Sequence, residues 1–311
     1  MRFTPGALRL RLQQRFGHGL RVAWYRDVVR PRILSTPPIP DTTDYRCEIH
    51  ALTSREDWVN LLWTLKSFYV ASGRRYALCI HEDGSLKATE CAVLREHFPA
   101  ARIIRRDEAD AKVAEALRDF PRSLQFRNGN LLAPKLFDFA IFLRSDRMAL
   151  FDSDLLFFTE PKLYLQRIED PSYRRNTFNA DLGHAYTVDP DAVRTLIGHD
   201  LQRLVNSGLG LVHRDSIRWD WTEEFLALPG ILAGHFWRIE QTLFALCSSR
   251  YGVELLPEEY KLRLEAGIGT RCFRHYNGTI RHLMFSEGIA SLMEQDFLSR
   301  CGNSELAHRR V

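Results

Sequence analysis

The chain lacks any C-x-x-C pair. Its six cysteines, Cys47, Cys79, Cys91, Cys247, Cys272 and Cys301, are scattered over 311 residues. That spacing gives no expectation of a zinc site. Cys47 and Cys79 fall in expected strands, where a thiol usually serves as a small hydrophobe. A reducing cytosol is the expected compartment. No apolar run approaches the roughly 20 residues that span a bilayer, and the basic N-terminus lacks the apolar core of a secretory leader. Internal repeats and low-complexity stretches are also missing. What is present is ordinary for a folded domain: 45% hydrophobic and 26% charged residues, with a formal net charge of +4.

That charge is unevenly spread. Residues 1–40 carry eight Arg and one Asp, a net of +7, so the remainder sums to −3. Leu8, Leu12 and Phe16 recur every four residues with Arg9, Arg11 and Arg15 between them. This predicts a short basic amphipathic helix ending near Gly17 and Gly19. It either packs on the domain or attaches to an anionic membrane surface through residues 1–30. Nucleic acid is not an expected partner, because the rest of the chain is acidic. Ser35-Thr36-Pro37-Pro38-Ile39-Pro40 reads as a stiff linker.

Beyond it, strand and helix patterns alternate. Strands are expected at Cys47–Leu52, Tyr76–His81 and Arg102–Arg105. Trp58, Leu61, Leu62, Leu65, Phe68 and Tyr69 form one helical stripe closed at Gly73. A second helix is expected over Leu86–His97, and Pro134 opens another with Leu136, Phe139, Ala140 and Leu143 inward. The rhythm predicts an α/β sandwich with a largely parallel sheet. The second half is less regular, with strands expected at Phe178–Val188, Leu209–His213 and Arg271–Tyr276. Phe236, Ile239, Leu243, Leu246 and Cys247 mark a helix, and Ile280–Met293 a closing one.

The chemistry concentrates in Arg147-Met148-Ala149-Leu150-Phe151-Asp152-Ser153-Asp154-Leu155-Leu156-Phe157-Phe158. Two carboxylates interrupt an apolar run, and buried carboxylates need compensation. On a strand, Asp152 and Asp154 point the same way. Two such groups at a strand's end suit a hard divalent cation, Mn²⁺ or Mg²⁺. A cation there can in turn hold a diphosphate.

Ser145 to Asp154 resembles the strand bearing the D-x-D motif of GT-A glycosyltransferases. The resemblance is to the retaining family 8, which includes glycogenin and lipopolysaccharide galactosyltransferases. His275-Tyr276-Asn277-Gly278-Thr279-Ile280-Arg281 is similar to that family's late motif. There the His completes the metal site and a basic residue holds the diphosphate. Gly278 would let backbone approach the phosphates. Arg281-His282-Leu283 replaces the family's Lys-Pro-Trp. Asn206-Ser207-Gly208 resembles the segment whose Asn contacts the donor sugar, and Glu240-Gln241 stands where the family has Asp-Gln. Lys135 matches a basic residue that reaches the donor. Thr53, Asp57 and Trp58 follow the first strand, where the family binds uridine, and Trp58 could stack on the base or pack in the core. Ser153, Asn179 and Asp181 fall where the family contacts the donor.

The resemblance spans roughly residues 45–285. It implies a GT-A domain over 41–300, with a nucleotide-binding half (45–158) and a sugar and acceptor half (159–300). An arm and linker (1–40) and a tail (301–311) flank it. It implies metal-dependent transfer from a UDP-sugar to a glycan or lipid-linked acceptor with retention. Asp152, Asp154 and His275 would hold the metal, Lys135 and Arg281 the diphosphate, and Gln241 would lie near the reacting face. Glu240 shares that catalytic position. Three rivals are weighed at this level. Phe151-Asp152-Ser153-Asp154 also resembles the first motif of HAD-type phosphatases, with Asp152 as nucleophile, but no convincing G-D-x-x-D segment follows. A pyrophosphorylase lacks its Gly-rich N-terminal loop here. A non-catalytic GT-A-shaped binding protein is the third alternative.

Overall fold

The computed structural model describes residues 15–302. Residues 1–14, and with them most of the expected basic helix, lie outside the described part.

Nine strands are present among the described residues: β1 (Asp44–Thr53), β2 (Tyr76–Glu82), β3 (Arg102–Ile104), β4 (Arg147–Phe151), β5 (Leu155–Phe157), β6 (Asn176–Ala180), β7 (Val205–His213), β8 (Val253–Leu255) and β9 (Phe273–His275). Seven form one sheet in the order β3-β2-β1-β4-β7-β6-β8, and β5 pairs with β9 apart from it. The β3-β2-β1-β4 half is wholly parallel. β7 runs antiparallel to both β4 and β6. Sheet and helices therefore give the expected α/β sandwich with a mostly parallel sheet.

The period-2 pattern of β4 explains the layering. Ala149 and Phe151 join one buried cluster, and Met148 and Leu150 the other. The first cluster is completed by α2 (Trp58–Ser72), α3 (Ala88–His97) and α7 (Lys162–Glu169). The second is completed by α4 (Arg106–Ala116), α5 (Pro121–Gly129), α6 (Ala133–Phe142), α8 (Pro190–Ile197), α9 (Trp219–Phe225) and α10 (Phe236–Tyr251). Gly73 ends α2 at φ 67°, the left-handed turn that glycine adopts without steric cost.

Four expectations need correction. The helical segment 20–35, beginning with α1 (Leu20–Trp24), is not a free arm: Val22, Val29 and Ile33 belong to the core. The proline-rich segment after it is not a spacer. Thr36 and Ile39 are buried, Ile39 N–H donates to His97 O at 2.8 Å, and Lys66 Nζ donates to Thr36 Oγ1 and Pro37 O, each at 2.7 Å. Third, the strand expected over Phe178–Val188 ends at Ala180. Asp181 keeps one backbone bond to Leu204 O at 2.8 Å while its side chain accepts from Asn206 Nδ2 at 3.0 Å, and Asp189 caps α8 by accepting from Asp191 N and Ala192 N. The closing helix is broken, with 3₁₀, α and π turns succeeding one another from Gly278 to Glu294.

Candidate functional site

Two strand registers build the site. β4 stops at Phe151, and Asp152-Ser153-Asp154 forms a turn into β5. The aspartates therefore do not share one strand face, as the alternation argument expects. They converge because each is tied to a different neighbour. Asp152 N–H donates to Gly208 O at 2.8 Å, extending the β4–β7 ladder. Leu155 pairs with His275, and Tyr276 N–H donates to Asp154 O at 2.9 Å.

The result is a cluster in which ligand atoms of Asp152, Asp154 and His275 all lie within 4.8 Å of one another. His275 Nε2 is 3.2 Å from Asp154 Oδ1 and 3.7 Å from Asp152 Oδ2. Asn206 sets the imidazole tautomer. Its Nδ2 donates to Asp181, which turns its Oδ1 towards His275 Nδ1 at 3.1 Å. Nδ1 must then carry the proton, and Nε2 presents a lone pair to the carboxylates. Asp154 Oδ1 is buried and has no aligned hydrogen-bond donor. A lone pair facing a carboxylate oxygen calls for a cation between them. A proton can do the same work: burial disfavours imidazolium, but Asp154 and Asp152 outweigh burial and lift the His275 pKa. Burial would likewise raise the Asp154 carboxyl, yet His275 and Arg281 hold it at about 2. Two carboxylates and an imidazole fit Mn²⁺ or Mg²⁺, whose octahedral ligand edge is about 3 Å.

Charged groups frame this cluster. Arg281 reaches Asp154 Oδ2 at 2.9 Å and Asp57 Oδ1 at 3.1 Å. Lys135, from α6, is buried: its Nζ donates to Ser207 O at 2.9 Å and forms ion pairs with Asp152 Oδ1 at 2.8 Å and Glu240 Oε1 at 3.1 Å. Its charge holds the Asp152 carboxylate in place. Burial pushes the Glu240 carboxyl up to about 7, against the pull of Lys135. Ser207 Oγ donates to Glu240 Oε2 at 2.9 Å, and Gln241 Nε2 donates to Asp181 Oδ2 at 3.2 Å.

A cleft of about 1020 Å³ opens over the cluster. Thr53, Asp57, Lys135, Asp152, Ser153, Asp154, Asp181, Asn206, Glu240, Gln241, His275, Gly278 and Arg281 all line it. It sits beyond the carboxyl ends of β1 and β4, where ligands bind in such sheets. Two expected residues do not reach it. Trp58 packs against the core, and fully buried Asn179 accepts from Leu209 N–H at 3.1 Å, bracing β7. Gly208 was missed as a functional position. A Cβ there would meet His275 Cε1 at 2.3 Å, so only glycine admits the imidazole. Also missed were His235, Phe236 and Trp237, which line the far rim. A glycine at the entry to an expected strand was the available signal for the first; the rim carried none.

No family model matches the chain, and no curated protein matches it in sequence. Solved structures do match in shape. Mouse xyloside xylosyltransferase 1 superimposes with a TM-score of 0.50 at 13% identity, covering 76% of this chain and 99% of that one. The bifunctional glycosyltransferase WbbM gives 0.50 at 11% identity, over 86% of this chain and 53% of that one. The fold is that of the GT-A glycosyltransferases. The galactosyltransferase LgtC, in complex with donor and acceptor sugar analogues, gives 0.48 at 14% identity, over 82% and 95%. Within the GT-A fold, the Asp152 turn follows the fourth strand of the sheet; it does not open the domain as a HAD-type nucleophile would.

Proposed function

We propose that the protein is a metal-dependent glycosyltransferase. It moves a sugar from a UDP-sugar to a glycan or lipid-linked acceptor in the cytoplasm, with retention at the anomeric carbon. The observation that carries this reading is the meeting of Asp152, Asp154 and His275 at the floor of a cleft in a GT-A fold. The likeness of Asn206-Ser207-Gly208 and Glu240-Gln241 to family 8 segments supports retention. Mouse xyloside xylosyltransferase 1, which has the same fold, is by its name a sugar-transferring enzyme.

In this reading Asp152, Asp154 and His275 hold Mn²⁺ or Mg²⁺, which when bound stabilises charge on the departing diphosphate. Arg281 contributes fixed positive charge on the same side. Lys135 acts through Asp152, whose carboxylate it holds in place. Thr53 and Asp57 line the end of the cleft after β1, where the nucleoside would rest. Asn206 keeps His275 in its ligating tautomer while facing the donor sugar. Gln241 is fixed by Asp181 and by Ser207 N–H at 3.3 Å, and lies nearest the reacting face. Glu240 keeps Lys135 anchored. Among the described residues no helix is long and apolar enough to cross a membrane. Attachment to a membrane surface through residues 1–30 is a proposal from charge alone, since most of that helix lies outside the described residues.

The test is nucleotide release from a panel of nucleotide sugars, with Mn²⁺ or with EDTA. Metal-dependent release from one UDP-sugar, stimulated by an acceptor, is expected. Release that EDTA does not affect would overturn the metal assignment, and no release from any donor would overturn the enzyme.

A further inference from the structure

A second group of ligand-type side chains lies inside the sheet, away from the cleft. His50 on β1 stands directly across from Cys79 on β2, and His81 follows two residues along β2 on the same face. All three are buried, and their ligand atoms lie within 4.8 Å of one another. His50 Nδ1 is 3.1 Å from His81 Nε2, and Cys79 Sγ is 3.4 Å from that same nitrogen. Glu48 Oε2 sits 3.2 Å from His50 Nε2 on the opposite side of the ring, although not aligned as a hydrogen bond. Phe139 and Phe142 close over the imidazoles.

Protein atoms alone serve this group poorly. The Glu48 carboxylate favours the proton on His50 Nε2, which leaves Nδ1 as a lone pair. His81 Nε2 then faces both that lone pair and the Cys79 sulfur. It has one proton or one lone pair to offer, and so can satisfy only one of them. A cation between the three atoms would satisfy all of them at once.

The spacing fits one. Tetrahedral zinc, with bonds of about 2.0 Å to nitrogen and 2.3 Å to sulfur, sets N···N at about 3.3 Å and N···S at about 3.6 Å. We infer that His50 Nδ1, His81 Nε2 and Cys79 Sγ form a structural site for a thiophilic closed-shell ion, Zn²⁺ or Cu⁺. Soft thiolate with imidazole selects these ions over Mn²⁺ or Mg²⁺. Glu48, itself paired with Arg102 at 2.7 Å, is the carboxylate that orients a ligating histidine. Burial keeps both imidazoles neutral, the form that ligates. It also keeps the free thiol protonated, so binding displaces the Cys79 proton to solvent. None of the three residues lines the cleft, so the ion would be captured as β1 and β2 pair. No C-x-x-C spacing announces such a site, because its donors come from two strands.

The test is elemental analysis of the full chain, purified through EDTA. About one equivalent of zinc or copper is expected, retained in Asp154→Asn and reduced at least tenfold in Cys79→Ser. The element found distinguishes the two ions. Should Cys79→Ser not fold, wild type refolded with Co²⁺ decides instead: a thiolate-to-cobalt charge-transfer band is expected. Less than a tenth of an equivalent in wild type with no cobalt band, or full retention in folded Cys79→Ser, would overturn the site.

Discussion

The two ligand clusters of this molecule differ in every respect that determines chemistry. Asp152, Asp154 and His275 offer mainly hard oxygen donors, lie on a turn and open to a large cleft. His50, Cys79 and His81 offer nitrogen and sulfur, lie on paired strands and are sealed under Phe139. The open cluster can exchange its ion and present it to a ligand. The sealed one can only hold an ion, and any benefit goes to folding. Donor type and exposure, more than the count of ligand residues, separate a reacting site from a fastening one.

Substitutions at the open cluster should show the largest effects. Asp154→Asn is expected to lower transfer by more than about 100-fold, beyond the usual 10–100-fold cost of losing a ligand's supporting partner. Its fold should survive with a lower thermal midpoint without metal, because His275 and Arg281 lose the carboxylate they pair with. Kinetics and thermal denaturation on the same preparation check this. Gly208→Ala comes next. A methyl 2.3 Å from His275 Cε1 must displace the ring, so Mn²⁺ affinity should fall on the order of 10–100-fold. Titration calorimetry with Mn²⁺ measures it. Asn206→Ala removes the partner of His275 Nδ1 and leaves the ring in place. Mn²⁺ affinity should fall about 10-fold, by the same measurement. A drop in Gly208→Ala smaller than that in Asn206→Ala would contradict the packing argument.

The smallest expected effect concerns a sealed cation with protein partners only. Lys66 is fully buried on Thr36 and Pro37, and burial lowers its pKa from 10.5 to about 8. The unfolded chain therefore binds more protons than the native one between pH 8 and 10.5, so Lys66 makes stability rise with pH across that window. The slope it adds reaches at most about 1.4 kcal/mol per pH unit. Denaturant titrations of wild type and Lys66→Met across pH 8 to 10.5 should differ by that slope. Parallel curves would show that Lys66 ionises normally.

What the sequence disclosed follows the same division. Strands β1, β2 and β4 and helices α2 and α6 were legible because strong periodicity and clear stops, such as Gly73, coincide. Helix α4 was not, because only Ala109 and Val113 of its eleven residues are buried. Most of the cleft was legible through local motifs, and those motifs hold residues that the chain brings together by register. Of the two readings of Trp58, the structure shows packing with the core, as a residue on an apolar stripe does. Lys135 reads as free to reach a donor, and only the three-dimensional arrangement shows its partners. The His50, Cys79 and His81 cluster left only the Cys79 and His81 pair, two apart on one strand, because His50 comes from the neighbouring strand with no fixed spacing in sequence.

A nucleotide site that depends on Asp152, Asp154 and His275 is tested most directly by thermal shift. The panel is UDP, GDP, ADP and dTDP, with and without Mn²⁺, on wild type and Asp154→Asn. A nucleotide at 100 times its dissociation constant stabilises by about 2.7 kcal/mol. A Mn²⁺-dependent shift with UDP is expected, and Asp154→Asn should abolish it. A shift with no nucleotide, or one that Asp154→Asn leaves intact, would contradict the nucleotide site.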